Sequence, residues 1–137
     1  MGWCFSKYDS TAEGSDNEGE FSGGNIHLIT DNDVWEQKLA EAERDNKIVI
    51  ANFSATWCDP CRMMAPYYRD LSEQHSSIMF LSIDVDELAE FSAKWEIKAT
   101  PTFFFLKNGQ QFDKLVGANR PELLKKIASA MDSGAPS

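Results

Sequence analysis

Ile48-Val49-Ile50-Ala51-Asn52-Phe53-Ser54-Ala55-Thr56-Trp57-Cys58-Asp59-Pro60-Cys61 runs from an apolar, β-branched stretch straight into two cysteines two residues apart. Ile48 to Phe53 are apolar almost without alternation, as expected of a central strand covered on both faces. Beyond Cys61, residues Met63, Met64, Tyr67, Tyr68 and Leu71 recur at helical spacing up to about His75. Pro60 suits the first turn of that helix, and Pro66 should kink it. A strand that delivers a Cys-x-x-Cys to the opening of a helix is the setting of a redox motif.

The chemistry follows from that position. Free backbone amides and the helix dipole stabilise the first sulfur as a thiolate. Cys58 can then attack a substrate disulfide to give a mixed disulfide, and Cys61 can attack that bond and release the reduced substrate. A structural zinc site would need four ligands. The remaining candidates are Cys4 near the chain start and the isolated His27 and His75, none paired at ligand spacing. No metal is expected, and the two histidines read as ordinary surface or core-edge residues.

Working outward, Ile26 to Ile29 form a first short strand. Thr30 stands three residues before Asp33, the spacing of a capping box, and Val34, Trp35, Lys38, Leu39 and Ala42 make a helical stripe ending near Arg44. Downstream, Ile78 to Ile83 read as a buried strand, Leu88, Phe91 and Trp95 mark a short helix, and Thr100-Pro101 breaks the pattern. Thr102 to Lys107 and Gln110 to Val116 flank Asn108-Gly109, a strong hairpin signal. Phe103, Phe104 and Phe105 are expected in the core. Asn119 can cap a last helix opened by Arg120 and Pro121, with Leu123, Leu124, Ile127 and Met131 on its apolar face. The order βαβαβαββα requires an α/β fold with a mixed central sheet flanked by helices on both faces.

A chain of 137 residues supports one domain and its ends. Residues 1–24 are rich in Ser, Gly, Asp and Glu and carry a balance of −4, which leaves −5 of the total −9 for the rest. They read as a flexible acidic extension, 25–132 as the domain and 133–137 as a short flexible tail. The acidic balance argues against nucleic acid as a partner. Three cysteines make no disulfide scaffold, so a reducing compartment is expected. Neither an apolar run long enough to span a bilayer nor a secretory signal is present in the sequence.

Phe53-Ser54-Ala55-Thr56-Trp57-Cys58-Asp59-Pro60-Cys61-Arg62-Met63-Met64-Ala65-Pro66 closely resembles the active-site strand, loop and helix of thioredoxins. The resemblance extends over about residues 25 to 132. It includes Asp84-Val85-Asp86-Glu87, Ala99-Thr100-Pro101-Thr102-Phe103, Lys107-Asn108-Gly109 and Val116-Gly117-Ala118-Asn119, and it is to the plant h group in particular. It implies the thioredoxin fold and a dithiol reductase of disulfide-containing target proteins. It also implies a cytoplasmic monomer with no bound cofactor, recharged by an NADPH-dependent thioredoxin reductase or by glutathione and glutaredoxin. A non-catalytic binding module using the same groove, or net disulfide oxidation or isomerisation, are the alternatives. The resemblance further implies a cis bond before Pro101, facing the cysteine pair. Thr100 would then offer backbone hydrogen bonds to an extended substrate strand, with Trp57, Gly117 and Ala118 completing the groove. Read from the residues alone, Trp57 and Gly117 would serve equally as plain packing and a bulge.

Two residues depart from the family pattern. Asp59 stands where most thioredoxins carry Gly; a carboxylate there should disfavour the Cys58 thiolate and make the disulfide modestly more reducing. Asn52 stands where many bury an Asp that accepts the proton of the resolving cysteine; an amide can hydrogen-bond but cannot be that base. Met1-Gly2-Trp3-Cys4-Phe5-Ser6 fits myristoylation of Gly2. One such chain binds membrane only marginally, and Cys4 lies where a palmitoyl group could supply the second signal, at the plasma membrane or an endomembrane. Cys4 as a third redox thiol competes for the same sulfur.

Overall fold

The computed structural model describes residues 23–133. Its elements are β1 (Ile26–Ile29), α1 (Asn32–Arg44), β2 (Ile48–Ser54), α2 (Asp59–Gln74), β3 (Ile78–Asp84), α3 (Ala89–Lys94), β4 (Thr102–Lys107), β5 (Gln110–Val116) and α4 (Arg120–Ser133). This is the βαβαβαββα order expected from the sequence. Gly2, Cys4 and the residues up to 22 lie outside the described residues, as do 134–137.

All seven residues of β2 are buried, which explains their lack of alternation. The strand sits third in a five-stranded sheet of order β1-β3-β2-β4-β5, parallel to β3 and antiparallel to β4. Successive side chains therefore enter two separate cores. Ile48 and Ile50, with Phe80, Phe103 and Phe105, pack against Met64, Tyr68, Leu123 and Ile127 of α2 and α4. Val49, Ala51 and Phe53, with Leu81, Ile83, Phe104 and Leu106, pack against Trp35 of α1 and the aromatic pair Phe91 and Trp95 in and after α3. Phe103, Phe104 and Phe105 thus lie in the core, on alternate faces.

The turns follow local chemistry. Asn108 (φ 52°) and Gly109 (φ 77°) both take positive φ between β4 and β5, the requirement of a tight two-residue hairpin turn. Asn119 accepts from the Glu122 amide at 3.0 Å, capping α4 as expected. The cap of α1 differs from the sequence reading. Asp31, extended at φ −164°, accepts from the Val34 amide at 2.9 Å, and its carboxylate displaces Thr30 from the capping role. The irregularity of the sheet also falls elsewhere than expected: the register shift between β4 and β5 is at Phe105/Leu106, while Gly117 (φ 103°) turns the chain off the end of β5.

Gly23 and Gly24, read from sequence as the end of the extension, form the turn into β1, and there the chain is fastened to α2. The Asn25 amide donates to Ser72 Oγ at 3.0 Å and its side chain donates to the Ser72 carbonyl at 3.2 Å. A Cβ on Gly24 would lie 2.8 Å from Ser72 Oγ. Pro66 lies inside α2, so the Arg62 carbonyl lacks its helical donor. One residue on, the Met63 carbonyl accepts from Arg120 Nη2 at 3.0 Å. That contact ties the start of α4 to α2.

Candidate active site

Because β2 and β3 are parallel and pair Ser54 with Asp84, the loops that follow them open at the same end of the sheet. Such ends are where α/β folds place their chemistry. The loop after β2 is short. Cys58 is already the N-cap of α2, its Sγ accepting from the Cys61 amide at 3.2 Å. Pro60 occupies the opening turn, where a missing N–H costs nothing. Both cysteines are free thiols and both are buried, Cys58 at 5% and Cys61 at 1% exposure.

The two sulfurs have opposite acidities. Burial by itself pushes the Cys58 thiol up. Hydrogen bonds from the Cys61 side chain, from Thr100 and from the Cys61 amide, together with the Arg62 charge, outweigh it and hold Cys58 below the ordinary value of 9.0. Burial also pushes Cys61 up, and there the hydrogen bond with Cys58 adds to it, so that this thiol rises to about 12. Thus Cys58 ionises first and Cys61 keeps its proton.

Asp59, expected to disfavour the Cys58 thiolate relative to a glycine, does not stand beside it uncompensated. Asp59 is 76% exposed and ion-paired with Arg62. Its charge is answered by a cation one helical turn away, and Arg62 also donates to the Thr56 carbonyl at 2.7 Å.

Thr100 and Pro101 stand opposite the pair, across a cis peptide bond as the resemblance implied. The Cys58 thiol lies 3.5 Å from the Thr100 carbonyl. The Gly117 amide donates to the Pro101 carbonyl at 2.8 Å, bringing the Gly117–Ala118 turn to the same rim, with Ala118 exposed. Trp57 is 67% exposed, which excludes plain packing. Its indole Nε1 donates to Asp86 Oδ2 at 2.7 Å. With Met63 and Val116, also exposed, it gives this end of the sheet an apolar rim.

Asn52 lies on the β2 face that α2 covers, fully buried, and neither polar atom of its amide finds a partner among the described residues. No cluster of three or more His, Cys, Asp or Glu among the described residues could hold a metal. His27 lies on β1 with part of its ring desolvated against the protein, and that desolvation, then the nearby Lys38, lowers its pKa.

Three site residues escaped the sequence reading. Asp86 holds the Trp57 indole, Arg62 holds Asp59, and Arg120 holds the Met63 carbonyl and stacks over Tyr67 at 5.4 Å. The first two had a signal. Two strands ending in register carry residues two or three positions beyond their ends to the same place, and Asp59 and Arg62 stand three positions apart at a helix opening, where such side chains are neighbours.

The thioredoxin family model matches residues 26–130. Thioredoxin H9 of Arabidopsis thaliana is 64% identical over 133 residues, covering 97% of this chain and 94% of its own length. An h-type thioredoxin of Populus jackii is 62% identical over 137 residues, covering 100% and 99% respectively. The crystal structure of a poplar wild-type thioredoxin h superposes with a TM-score of 0.78 at 69% identity, over 80% of this chain and 98% of that one. Among the described residues no helix is long and apolar enough to cross a membrane. The chain belongs to the thioredoxin family as a plant h-type member, a thiol–disulfide oxidoreductase that reduces disulfides with the Cys58/Cys61 pair.

Proposed function

We propose that Cys58 is the attacking nucleophile, Cys61 the resolving thiol, and residues 25–132 the catalytic unit. The observation that carries this is the placement of the two sulfurs: Cys58 Sγ caps α2 and accepts from the Cys61 amide at 3.2 Å, while Cys61 is buried in the first turn, an arrangement that lowers the first pKa and raises the second. The Cys58 thiolate attacks one sulfur of a target disulfide, forming a mixed disulfide and expelling the other sulfur as a thiolate. Cys61 then gives up its proton and attacks Cys58 Sγ. The second target sulfur leaves, and a Cys58–Cys61 disulfide remains, so two electrons have passed to the target. An extended target strand lies along Thr100 and Pro101, flanked by Trp57, Gly117 and Ala118. Pro60 holds the opening of α2, Asp59 acts with Arg62 on the Cys58 charge, and Asn52, which cannot be a base, leaves the resolving proton to water or to Asp59.

The oxidised pair is recharged by an NADPH-dependent thioredoxin reductase or by glutathione and glutaredoxin. Insulin reduction with each donor in turn distinguishes them, and no turnover with any donor would overturn the reductase reading of these residues. Cys61→Ser should accumulate covalent target complexes through Cys58; trapping by Cys58→Ser instead would reverse the two roles. Gly2 and Cys4 are proposed to carry a myristoyl and a palmitoyl group that hold the protein at a membrane. Mass spectrometry of the plant-expressed protein and fractionation of Gly2→Ala test this, and a wholly soluble unsubstituted protein overturns it.

A further inference from the structure

Arg62 is placed to do more than balance a surface charge. Its backbone amide donates to the Cys58 carbonyl at 3.1 Å as α2 begins. Its side chain then folds back over the start of the helix, where one guanidinium nitrogen pairs with Asp59 Oδ1 and another donates to the Thr56 carbonyl at 2.7 Å. Thr56 lies two residues before Cys58 and Asp59 one residue after it. The fork therefore ties together both flanks of the nucleophile. Thr56, Trp57 and Asp59 are all exposed, while Ala55 and Cys58 of the same loop are buried. The loop is also fastened by the Trp57–Asp86 hydrogen bond, by the Cys58 amide donating to the Ala55 carbonyl at 3.2 Å and by Cys58 Sγ accepting from the Cys61 amide at 3.2 Å.

An isolated exposed ion pair fixes little, because water screens it and both side chains lose freedom. A planar guanidinium engaging two acceptors at once is different, since one rigid group satisfies both and neither can move without the other. Lysine, with a point charge on a flexible stem, does not reproduce that fork.

We propose that Arg62 is a positioning residue for disulfide exchange: clasped between Asp59 and the Thr56 carbonyl, it fixes the loop around Cys58 and cancels the Asp59 charge at the sulfur. This rests on the reading of Cys58 as nucleophile. Asp59 then has two opposed effects, because its carboxylate repels the thiolate while holding in place the cation that favours it. The charged and titratable groups around the sulfur are Cys61, Asp59 and Arg62, with Asp86 beyond the Trp57 indole.

The test is the pH profile of iodoacetamide alkylation at Cys58 in the reduced full chain, resolved by mass spectrometry of the Cys58 peptide. Arg62→Gln should move the midpoint upward, lowering the reactive fraction at pH 7 by about three- to tenfold, that is by half to one pH unit. Asp59→Asn should move it little, because repulsion and anchor are lost together. In the Asp59→Asn background, Arg62→Gln should have less than half its effect in the parent. Arg62→Lys should restore only part of the parent profile. A profile for Arg62→Gln that superimposes on the parent would overturn the proposal. So would an equal shift with and without Asp59, or full restoration by Lys. Failure of the underlying reading looks different: Cys58→Ser would retain insulin reduction whatever stands at position 62.

Discussion

Along α2 the opening turn and the later turns are held differently. In the opening turn Cys61 alone is buried while Asp59, Arg62 and Met63 face solvent, and hydrogen bonds to Cys58 Sγ, to the Thr56 carbonyl and from Arg120 to the Met63 carbonyl fasten it. From Met64 onward the helix presents Met64, Ala65, Tyr68, Leu71 and Ser72 to the core, with Tyr68 fully buried. Burial of large apolar side chains contributes several kcal/mol per residue, whereas single exposed polar contacts contribute about 1 kcal/mol or less. The two halves thus divide the labour, one setting stability and the other the acidity of a sulfur. Substitutions in the inner half should change folding and leave the Cys58 chemistry alone, and those in the outer half should do the reverse.

The most severe break in that division is Tyr68→Ala. The ring packs edge-on against Phe80 at 5.3 Å between centroids, and its hydroxyl lies 2.7 Å from the Leu81 carbonyl and 3.1 Å from that of Ile50. Truncation should cost about 3–5 kcal/mol in denaturant unfolding, while the alkylation midpoint of Cys58 in the folded fraction stays where it is. A shifted midpoint would mean that the halves are coupled through the helix.

Asn52→Asp probes the strand beneath. A carboxylate placed at this fully buried position would have its folded-state pKa raised, so the variant loses stability as pH rises above about 4, by about 2–4 kcal/mol at pH 7. Near pH 4 and below it should match the parent. A deficit independent of pH would show that burial of charge is not its cause. Mixed-disulfide resolution should also acquire a new pH dependence, because the site then holds a base.

The third comparison is between the two sulfurs. With Cys58 below 9.0 and Cys61 at about 12, their thiolate populations at pH 7 differ by about a thousandfold or more. The lower intrinsic nucleophilicity of the more acidic thiolate returns about half of that on a logarithmic scale. Cys58 should therefore alkylate about thirtyfold faster or more, its rate rising with pH through a midpoint below that of an ordinary cysteine. Comparable labelling of both residues would remove the asymmetry on which the proposed order of attack depends.

What could be read in the sequence was whatever is carried by local pattern. The apolar run of β2, the Asn108–Gly109 turn, the Asn119 cap and the Cys-x-x-Cys at a helix opening each state their structure within a few residues. What could not be read depends on partners brought together by register or by rotamer. Thr30 and Asp31 offer equivalent capping oxygens, and only the extended backbone at Asp31 decides between them. Asp59 read as an uncompensated charge although Arg62 stands at the spacing of a helical ion pair; what spacing does not state is the rotamer that also reaches the Thr56 carbonyl. The Arg120 contact with Met63 spans 57 positions and has no local signature.

The smallest effect tests the far end of the inner half, where the chain joins α2. Gly24 has φ +53°, and a Cβ there would meet Ser72 Oγ at 2.8 Å and the Arg69 carbonyl at 3.1 Å; Gly109 has φ +77° and nothing within 4 Å of its Cβ position. Alanine at either position incurs the left-handed conformational cost of about 1–2 kcal/mol. Gly24→Ala must in addition push the Asn25–Ser72 latch away from the helix. It should therefore be the more destabilising of the two by about 1 kcal/mol, with no change in the alkylation of Cys58. Equal losses for the two variants would mean that the latch contributes nothing, and that packing of Tyr68 and its neighbours alone holds this half of α2.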